Sequence, residues 1–132
     1  VKAFGTIDIL INNAGLSMRG LFADTTLDTY QRLMNVNFWG AVYCTKFALP
    51  HLLAANGVVV GVSSIAGYRG LPGRGGYSAS KYALQGWLEA LRTELLHTGV
   101  HVMWVCPGFT ESNIRFAALT HEGKPQGHTT ME

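Results

Sequence analysis

Apolar residues are concentrated in three short runs, separated by two longer segments of mixed polarity. The runs cover residues 7–11, 58–63 and 100–106, and each holds apolar side chains at both odd and even positions. A strand with this pattern is covered on both faces, which is typical of a parallel sheet packed between helices. The order strand, helix, strand, helix, strand predicts an α/β fold with right-handed crossovers.

The first intervening segment predicts a long helix over residues 25–53. Thr25 is a suitable N-cap, and Asp28, three residues on, would complete a capping box. Apolar residues then recur at helical spacing through the segment. Pro50 predicts a kink or a fresh turn near its end.

Two asparagines, Asn35 and Asn37, interrupt the apolar pattern of this helix. A buried asparagine needs hydrogen-bond partners, and these can be backbone groups, water or a ligand. For either residue alone, a bond to the backbone of a bent helix is at least as good an explanation as a ligand site.

The second intervening segment predicts the clearest helix of the chain, over residues 77–97. It carries a broad apolar stripe, and Gly99 would end it as a C-cap. A stripe of this width can cover the sheet and also meet a partner subunit. Residues 112–119 predict a short third helix.

A serine, a tyrosine and a lysine at the start of this second helix have a spacing with a chemical use. Tyr77 and Lys81 are four residues apart, so they share one face of the helix. A phenol normally titrates near pH ~10, and a neighbouring ammonium favours its ionised form, which makes it usable as an acid or a base. Ser64, at the end of the second strand, can hydrogen-bond a carbonyl or alcohol oxygen. Together they predict a site that moves a proton onto or off an oxygen.

Polar or glycine-containing motifs follow the carboxyl ends of all three strands. Asn-Asn-Ala-Gly at 12–15 follows the first strand, Ser64 the second and Pro-Gly at 107–108 the third. Open α/β sheets bind ligands at this edge, and small residues there let a ligand approach the backbone. A tight turn with nothing bound would explain the first motif if it stood alone. The shared edge predicts a binding site.

The composition narrows the function further. The chain has 132 residues, of which 48% are hydrophobic and 14% charged, with a formal net charge of +2. This fits a single domain, or part of one, over residues 1–132. The positive charge is too small and too scattered to indicate nucleic-acid binding. No apolar run is long enough to span a membrane. The five histidines have no metal-ligand spacing, so we expect no metal site.

The two cysteines bear on the location of the protein. Cys44 and Cys106 lie in apolar helix and strand patterns, which predicts free, buried thiols rather than a disulfide framework. We therefore expect a cytoplasmic protein. Val1 is an unusual first residue, so an N-terminal part is expected to precede it, and a membrane anchor in that part stays open.

In this order, the motifs closely resemble those of the short-chain dehydrogenase/reductase family. The resemblance runs from residue 7 to about residue 113. It rests on five motifs: Asn-Asn-Ala-Gly at 12–15, Asn-x-Asn at 35–37, the serine at 64, Tyr-x-x-x-Lys at 77–81 and Pro-Gly at 107–108. Tyr-x-x-x-Lys alone is common by chance, whereas five motifs in one order are specific. The family implies part of a Rossmann-type doubly wound parallel sheet.

The resemblance also implies an NAD(P)-dependent oxidoreductase that acts on a carbonyl or a secondary alcohol. Tyr77 would be the general acid or base, and Lys81 would support it and bond the nicotinamide ribose. Ser64 would orient the substrate oxygen, and Asn37 would hold a relay water. The cofactor, NAD or NADP with NADP favoured, would contact Asn13, Ala14, Gly15, Tyr77, Lys81, Pro107, Gly108 and Thr110.

The same resemblance suggests a substrate and an assembly. The segments at 17–22 and 113–115 are similar to those of members that act on lipid or steroid ketones and alcohols. The two long helices resemble those that pair subunits in the family, which implies a homo-oligomer.

The chain also departs from the family pattern. The glycine-rich turn for the cofactor pyrophosphate and the strand that selects NAD or NADP have no match, nor does the last strand. The strand at 7–11 is then expected to form a bare apolar edge, so that this chain alone would self-associate and have little activity. The alternatives are a non-catalytic Rossmann-like binding or association module, and a truncated product without a stable fold.

Overall fold

The computed structural model describes residues 1–108 and 110–127. The predicted succession of strands and helices is confirmed. In chain order the elements are β1 (Ile9–Asn12), α1 (Leu27–Met34), a π-helical turn (Asn35–Trp39), α2 (Gly40–Ala55), β2 (Val58–Val62), a 3-10 turn (Ile65–Gly67), α3 (Gly75–Glu94) and β3 (His101–Val105).

The three strands that the structure describes form a parallel sheet in the order β1-β2-β3. Ile9 pairs with Val58, and Val58 pairs with His101, so the strands start nearly level. Their carboxyl ends therefore meet at a single edge of the sheet. This arrangement confirms the α/β fold class and brings the three strand-end motifs to the same side of the molecule.

The helices cover one face of this sheet. Val59 and Val102 are buried against α2 and α3 in a core whose other fully or nearly fully buried members are Ala41, Ala48, Leu52, Leu84, Leu88, Leu91, Leu95 and Val100. Alternate residues of a strand point to opposite faces. On the opposite face, Ile9 and Ile11 are 61% and 59% exposed. Among the described residues, the expected cover on both faces is thus present on one face only.

The first predicted helix is two helices joined by the π turn. Thr26, rather than Thr25, is the N-cap of α1, because its side chain accepts a hydrogen bond from Thr29 N at 3.3 Å. The Thr25 hydroxyl instead donates to the Leu21 carbonyl at 2.7 Å. Pro50 does not start a new helix, since it lies inside α2, and the kink expected there stays a prediction.

The end of the second predicted helix also differs. α3 ends at Glu94, and Gly99 is not its C-cap. A Cβ at Gly99 would overlap the side chain of Asn56, the residue that ends α2 in a left-handed conformation with φ of 50°. Gly99 is therefore required for the close approach of two chain segments.

Two further expectations need correction. Residues 112–117 form turns rather than a short helix. Cys44 and Cys106 are both free, as expected, but both are exposed rather than buried. The apolar pattern around them misled the prediction, because apolar neighbours in the sequence do not by themselves bury a side chain.

Candidate active site

Three polar side chains on successive turns of α3 form the centre of the site. Tyr77, Lys81 and Gln85 are spaced four residues apart, and all three are buried. Lys81 Nζ donates a hydrogen bond to the carbonyl of Val62, the last residue of β2, at 2.8 Å. The same nitrogen lies 5.7 Å from the centroid of the Tyr77 ring. The predicted pairing of Tyr77 with Lys81 on one helix face is present in the structure.

Lys81 holds its charge in a buried setting. The side chain is 3% exposed, and burial lowers its pKa from 10.5 to about 8. A coulombic interaction with Cys106 acts in the opposite direction and raises this pKa. Nζ can donate three hydrogen bonds, and the one to Val62 fixes its position. The ammonium is thus held in place beside a phenol, and it loses its proton more readily than an exposed lysine.

Asn37 lies in the π turn and connects the segment after β1 to α3. Its Oδ1 accepts from Leu16 N at 2.7 Å, and its Nδ2 donates to the Leu16 carbonyl at 2.9 Å. Nδ2 also donates to Ser80 Oγ at 2.8 Å, and Ser80 donates to the Tyr77 carbonyl at 2.7 Å. Asn35, by contrast, is exposed and accepts from Gln31 at 2.9 Å. The buried network therefore includes Asn37 and not Asn35.

Gly15 leaves room where Asn37 and Lys81 come close to the chain after β1. A Cβ built on Gly15 would lie 3.5 Å from Asn37 Oδ1 and 3.5 Å from Lys81 Nζ. Gly15, Asn37, Tyr77 and Lys81 are thus brought together. Asn13 and Ala14 lie just before Gly15, exposed at the sheet edge.

Ser64 follows β2 and starts the 3-10 turn. Its Oγ accepts from Ala66 N at 3.2 Å, and the turn packs against α3. Ser63, the residue before it, is buried, whereas Ser64 is half-buried. The hydroxyl of Ser64 is thus held at the rim of the site, where a bound oxygen can reach it.

Gln85 is a site residue that the sequence pattern did not reveal. Its Nε2 donates to Ser63 Oγ at 2.7 Å and to the Ser64 carbonyl at 3.3 Å. It also lies 3.7 Å from the sulfur of Cys106, which follows β3. A polar residue four positions after Lys81, on the otherwise apolar stripe, was the available signal.

The predicted residues after β3 form an open flank of the site. Pro107 and Gly108 are exposed, and the Thr110 hydroxyl donates to the Gly108 carbonyl at 3.2 Å. A Cβ at Gly108 would meet nothing within 4 Å, so the backbone there is accessible. Gly108 is thus open to a ligand at the end of β3, whereas Gly15, after β1, is half-buried beside Lys81.

A cavity of about 360 Å³ opens where the segment after β1 meets the start of α3. Its lining includes Arg19 and Arg74, and a backbone hydrogen bond from Gly20 N to the Gly73 carbonyl at 2.9 Å joins the two segments. Burial, and next the charge of Arg19, lower the pKa of Arg74. The cavity lies next to Arg74, the residue that precedes α3.

Within residues 1–108 and 110–127, no three His, Cys, Asp or Glu side chains are grouped as metal ligands. In that part of the chain, no helix is both long and apolar enough to cross a bilayer.

The fold and these motifs agree with the comparison to known families. Residues 1–123 match the family described as short chain dehydrogenase, and the chain belongs to that family. It is 47% identical over 124 residues to the human protein "Dehydrogenase/reductase SDR family member 7", a match that covers 92% of this chain and 37% of the relative. The mouse protein "Dehydrogenase/reductase SDR family member 7B" is 38% identical over 128 residues, covering 96% and 40%. The chain therefore spans about two fifths of the length of these curated relatives.

Solved structures give the same assignment. A short-chain dehydrogenase from Streptomyces avermitilis superposes with a TM-score of 0.82 at 31% identity, over 93% of this chain and 46% of that one. A short chain dehydrogenase/reductase from Burkholderia phymatum, solved in complex with NAD, has a TM-score of 0.82 at 29% identity, over 86% and 42%. The chain thus has the Rossmann-type fold of an oxidoreductase family that includes a member with bound NAD.

Proposed function

We propose that this chain forms the catalytic part of an NAD(P)-dependent dehydrogenase or reductase that interconverts a carbonyl and a secondary alcohol. The observation that carries the proposal is the buried pair on α3. The Lys81 ammonium is anchored to the Val62 carbonyl at 2.8 Å and lies 5.7 Å from the Tyr77 ring centre. An acid or base next to a fixed cation, at the edge where α/β sheets bind ligands, suits proton transfer to a substrate oxygen.

In the reduction, Tyr77 donates its hydroxyl proton to the carbonyl oxygen, and in the oxidation it removes a proton from the alcohol. The Ser64 hydroxyl hydrogen-bonds the same oxygen and orients it. The Lys81 ammonium stabilises the phenolate that remains after proton donation. A nicotinamide cofactor, when bound, supplies or accepts the hydride.

Asn37 has a supporting part in this proposal. Both N–H groups of its amide are used, by the Leu16 carbonyl and by Ser80. A relay water would therefore bond to an oxygen of Asn37 rather than to its nitrogen. Through these bonds Asn37 also keeps the segment after β1 close to α3.

The cofactor would lie along the edge formed by Asn13, Ala14 and Gly15 on one side and Pro107, Gly108 and Thr110 on the other. Lys81 would bond its ribose between them. We favour NADP over NAD. The open backbone at Gly108 supports the proposal, because a side chain there would project into the space required.

The substrate is proposed to be an apolar carbonyl compound or alcohol of lipid or steroid type, entering beside Tyr77. We further propose a homo-oligomer that pairs through α2 and α3. Trp39, Tyr43 and Phe47 support this assembly, because they lie exposed on one face of the helical segment at spacings of four residues. A cytoplasmic location fits two cysteines that are both free thiols.

The test replaces Tyr77 by phenylalanine in the longest natural form of the protein that contains these 132 residues. Tyr77→Phe removes only the hydroxyl, so NAD(P)H consumption with a carbonyl substrate should fall by at least about a thousandfold. Cofactor affinity, measured by isothermal titration calorimetry, should change by less than about threefold. Tyr82→Phe, an exposed tyrosine on the same helix, is the matched control. Undiminished turnover in Tyr77→Phe would refute the mechanism.

A second outcome distinguishes the dehydrogenase from the main alternative, a non-catalytic binding or association module. If the wild-type protein binds NAD(P)H but consumes none with any carbonyl compound, the protein is a binding or association module. Dimerisation through the exposed face of α2 would then be its remaining activity.

A further inference from the structure

We infer that Gln85 is a positioning residue for the proposed oxidoreductase, acting through Ser64. This inference rests on the proposed function, since it concerns the serine that would orient the substrate oxygen. Gln85 joins α3, which carries Tyr77, to the segment that carries Ser64. Its amide contacts Ser63, Ser64 and, at 3.7 Å, the sulfur of Cys106.

The contacts of Gln85 fix the chain at the end of β2. Nε2 donates to Ser63 Oγ at 2.7 Å and to the Ser64 carbonyl at 3.3 Å. The same carbonyl accepts Gly67 N at 2.9 Å, the bond that closes the 3-10 turn, and Ser64 Oγ accepts Ala66 N at 3.2 Å. Gln85 therefore holds both residues that precede the turn, and Ser64 can rotate or shift only if these bonds change.

The amide of Gln85 is buried directly against the 3-10 turn. Gln85 is 6% exposed, and a Cβ on Gly67 would overlap its Nε2 and lie 2.7 Å from its Cδ. The bare backbone of Gly67 allows the 3-10 turn to lie directly on the glutamine. A water molecule could take the place of this amide only if the 3-10 turn shifted.

The helix spacing gives the contact its functional meaning. Lys81 bonds the Val62 carbonyl, and Gln85, one turn later, bonds Ser63 and Ser64. Consecutive residues of β2 and its extension are thus tied to consecutive turns of α3. The distance between the Tyr77 hydroxyl and the Ser64 hydroxyl is set by these ties, and both must meet one substrate oxygen.

The first test is a double-mutant cycle in the full-length protein. Gln85→Met keeps the length of the side chain and removes its donors, and it should lower kcat about ten- to hundredfold. Ser64→Ala should lower kcat as well. If Gln85 acts through Ser64, adding Gln85→Met to Ser64→Ala should lower kcat by less than about a further threefold. If the fold-loss in kcat of the double variant equals the product of the two single fold-losses, the inference is overturned.

The second test does not depend on turnover. Hydrogen exchange of the Ala66 and Gly67 amides in Gln85→Met should be about three- to tenfold faster than in the wild type, since one supporting hydrogen bond is lost. Val102→Ala, a core change in β3, serves as the stability control and should not accelerate these two amides selectively. Unchanged exchange at both amides would overturn the inference. If the wild type consumes no NAD(P)H, the proposed function fails while this exchange result still decides the role of Gln85.

Discussion

Lys81 has a positive charge at a place where burial opposes it. Because its pKa is lowered to about 8, the ammonium that the phenolate needs begins to disappear near that pH. We expect kcat for carbonyl reduction to fall as the pH rises through about 8. A pH–rate profile measures this, and a flat profile up to pH ~10 would contradict it.

Folding stability should change in the opposite direction over the same interval. The folded protein binds fewer protons at Lys81 than the unfolded chain between pH 8 and 10.5, so the free energy of unfolding rises with pH there. The gain is complete above the unfolded value and is lost as the pH falls through about 8. Urea unfolding of wild type and Lys81→Met at pH 7 and pH 10 checks this, because the variant should lack the gain. A loss of rate above pH 8 is then not a loss of folded protein.

The chemistry of single residues was the most predictable part of the site. Tyr77 and Lys81 approach each other because helix geometry places residues four apart on one face, and that geometry needs no knowledge of the fold. Gln85 could not be assigned in the same way. Its partners, Ser63, Ser64 and Cys106, come from two other elements, and only the packed structure brings them to its amide.

The close contact between β2 and α3 depends on a glycine in β2, which has no side chain. Gly61 is the fourth of the five residues of β2, and a Cβ there would overlap a methyl group of Leu88, which is fully buried. Gly61→Ala should therefore lower the free energy of unfolding by about 1–3 kcal/mol, measured by urea denaturation. In the double variant Gly61→Ala/Leu88→Ala the opposing side chain is shortened. Its loss of unfolding free energy should be smaller than the sum of the losses in the two single variants.

Gly86 provides the matched control for this substitution. It lies in α3, and a Cβ there would meet nothing within 4 Å. Gly86→Ala should raise stability by up to about 1 kcal/mol, because alanine is the better helix former. Equal effects at Gly61 and Gly86 would show that packing on Leu88 is not the cause.

At the level of elements, hydrophobic pattern gave the order and type of the strands and long helices, but not where the helix beyond β1 is interrupted. Pro50 was the visible local signal, yet the irregular turn lies at 35–39. Asn37 is bonded there to Leu16, 21 residues earlier in the chain. A tertiary contact of this kind leaves no trace in a local pattern. The short apolar pattern at 112–117 was misleading in a different way, because Ile114 and Phe116 are exposed and that segment packs no apolar face against the core.

The whole molecule presents one uncovered face of its sheet. Ile9 and Ile11 of β1 are more than half exposed, and Met103 of β3 is 47% exposed on the same sheet. Such a surface favours association, and β1 also has a free edge within the described sheet. We expect the 132-residue chain, expressed alone, to self-associate.

Light scattering after size-exclusion chromatography measures this association. The double change Ile9→Thr with Ile11→Thr keeps β-branched side chains but lowers their hydrophobicity, so the apparent mass should fall towards that of a monomer. Leu27→Thr, at an exposed leucine of α1, is the control and should leave the mass unchanged. A wild-type chain that is monomeric at all concentrations would refute the expectation.

The π turn has a consequence for how the gene can change. It holds one residue more than a regular helical turn would, and each residue of a helix advances the side-chain direction by about 100°. Deleting a single codon within 35–39 would therefore turn Asn37 away from Leu16 or rotate all of α2 against the sheet. Insertions near Gly70, where the chain is exposed and open, disturb neither relation. Length variation among natural relatives should accordingly be frequent in the connection after the 3-10 turn and nearly absent from the π turn.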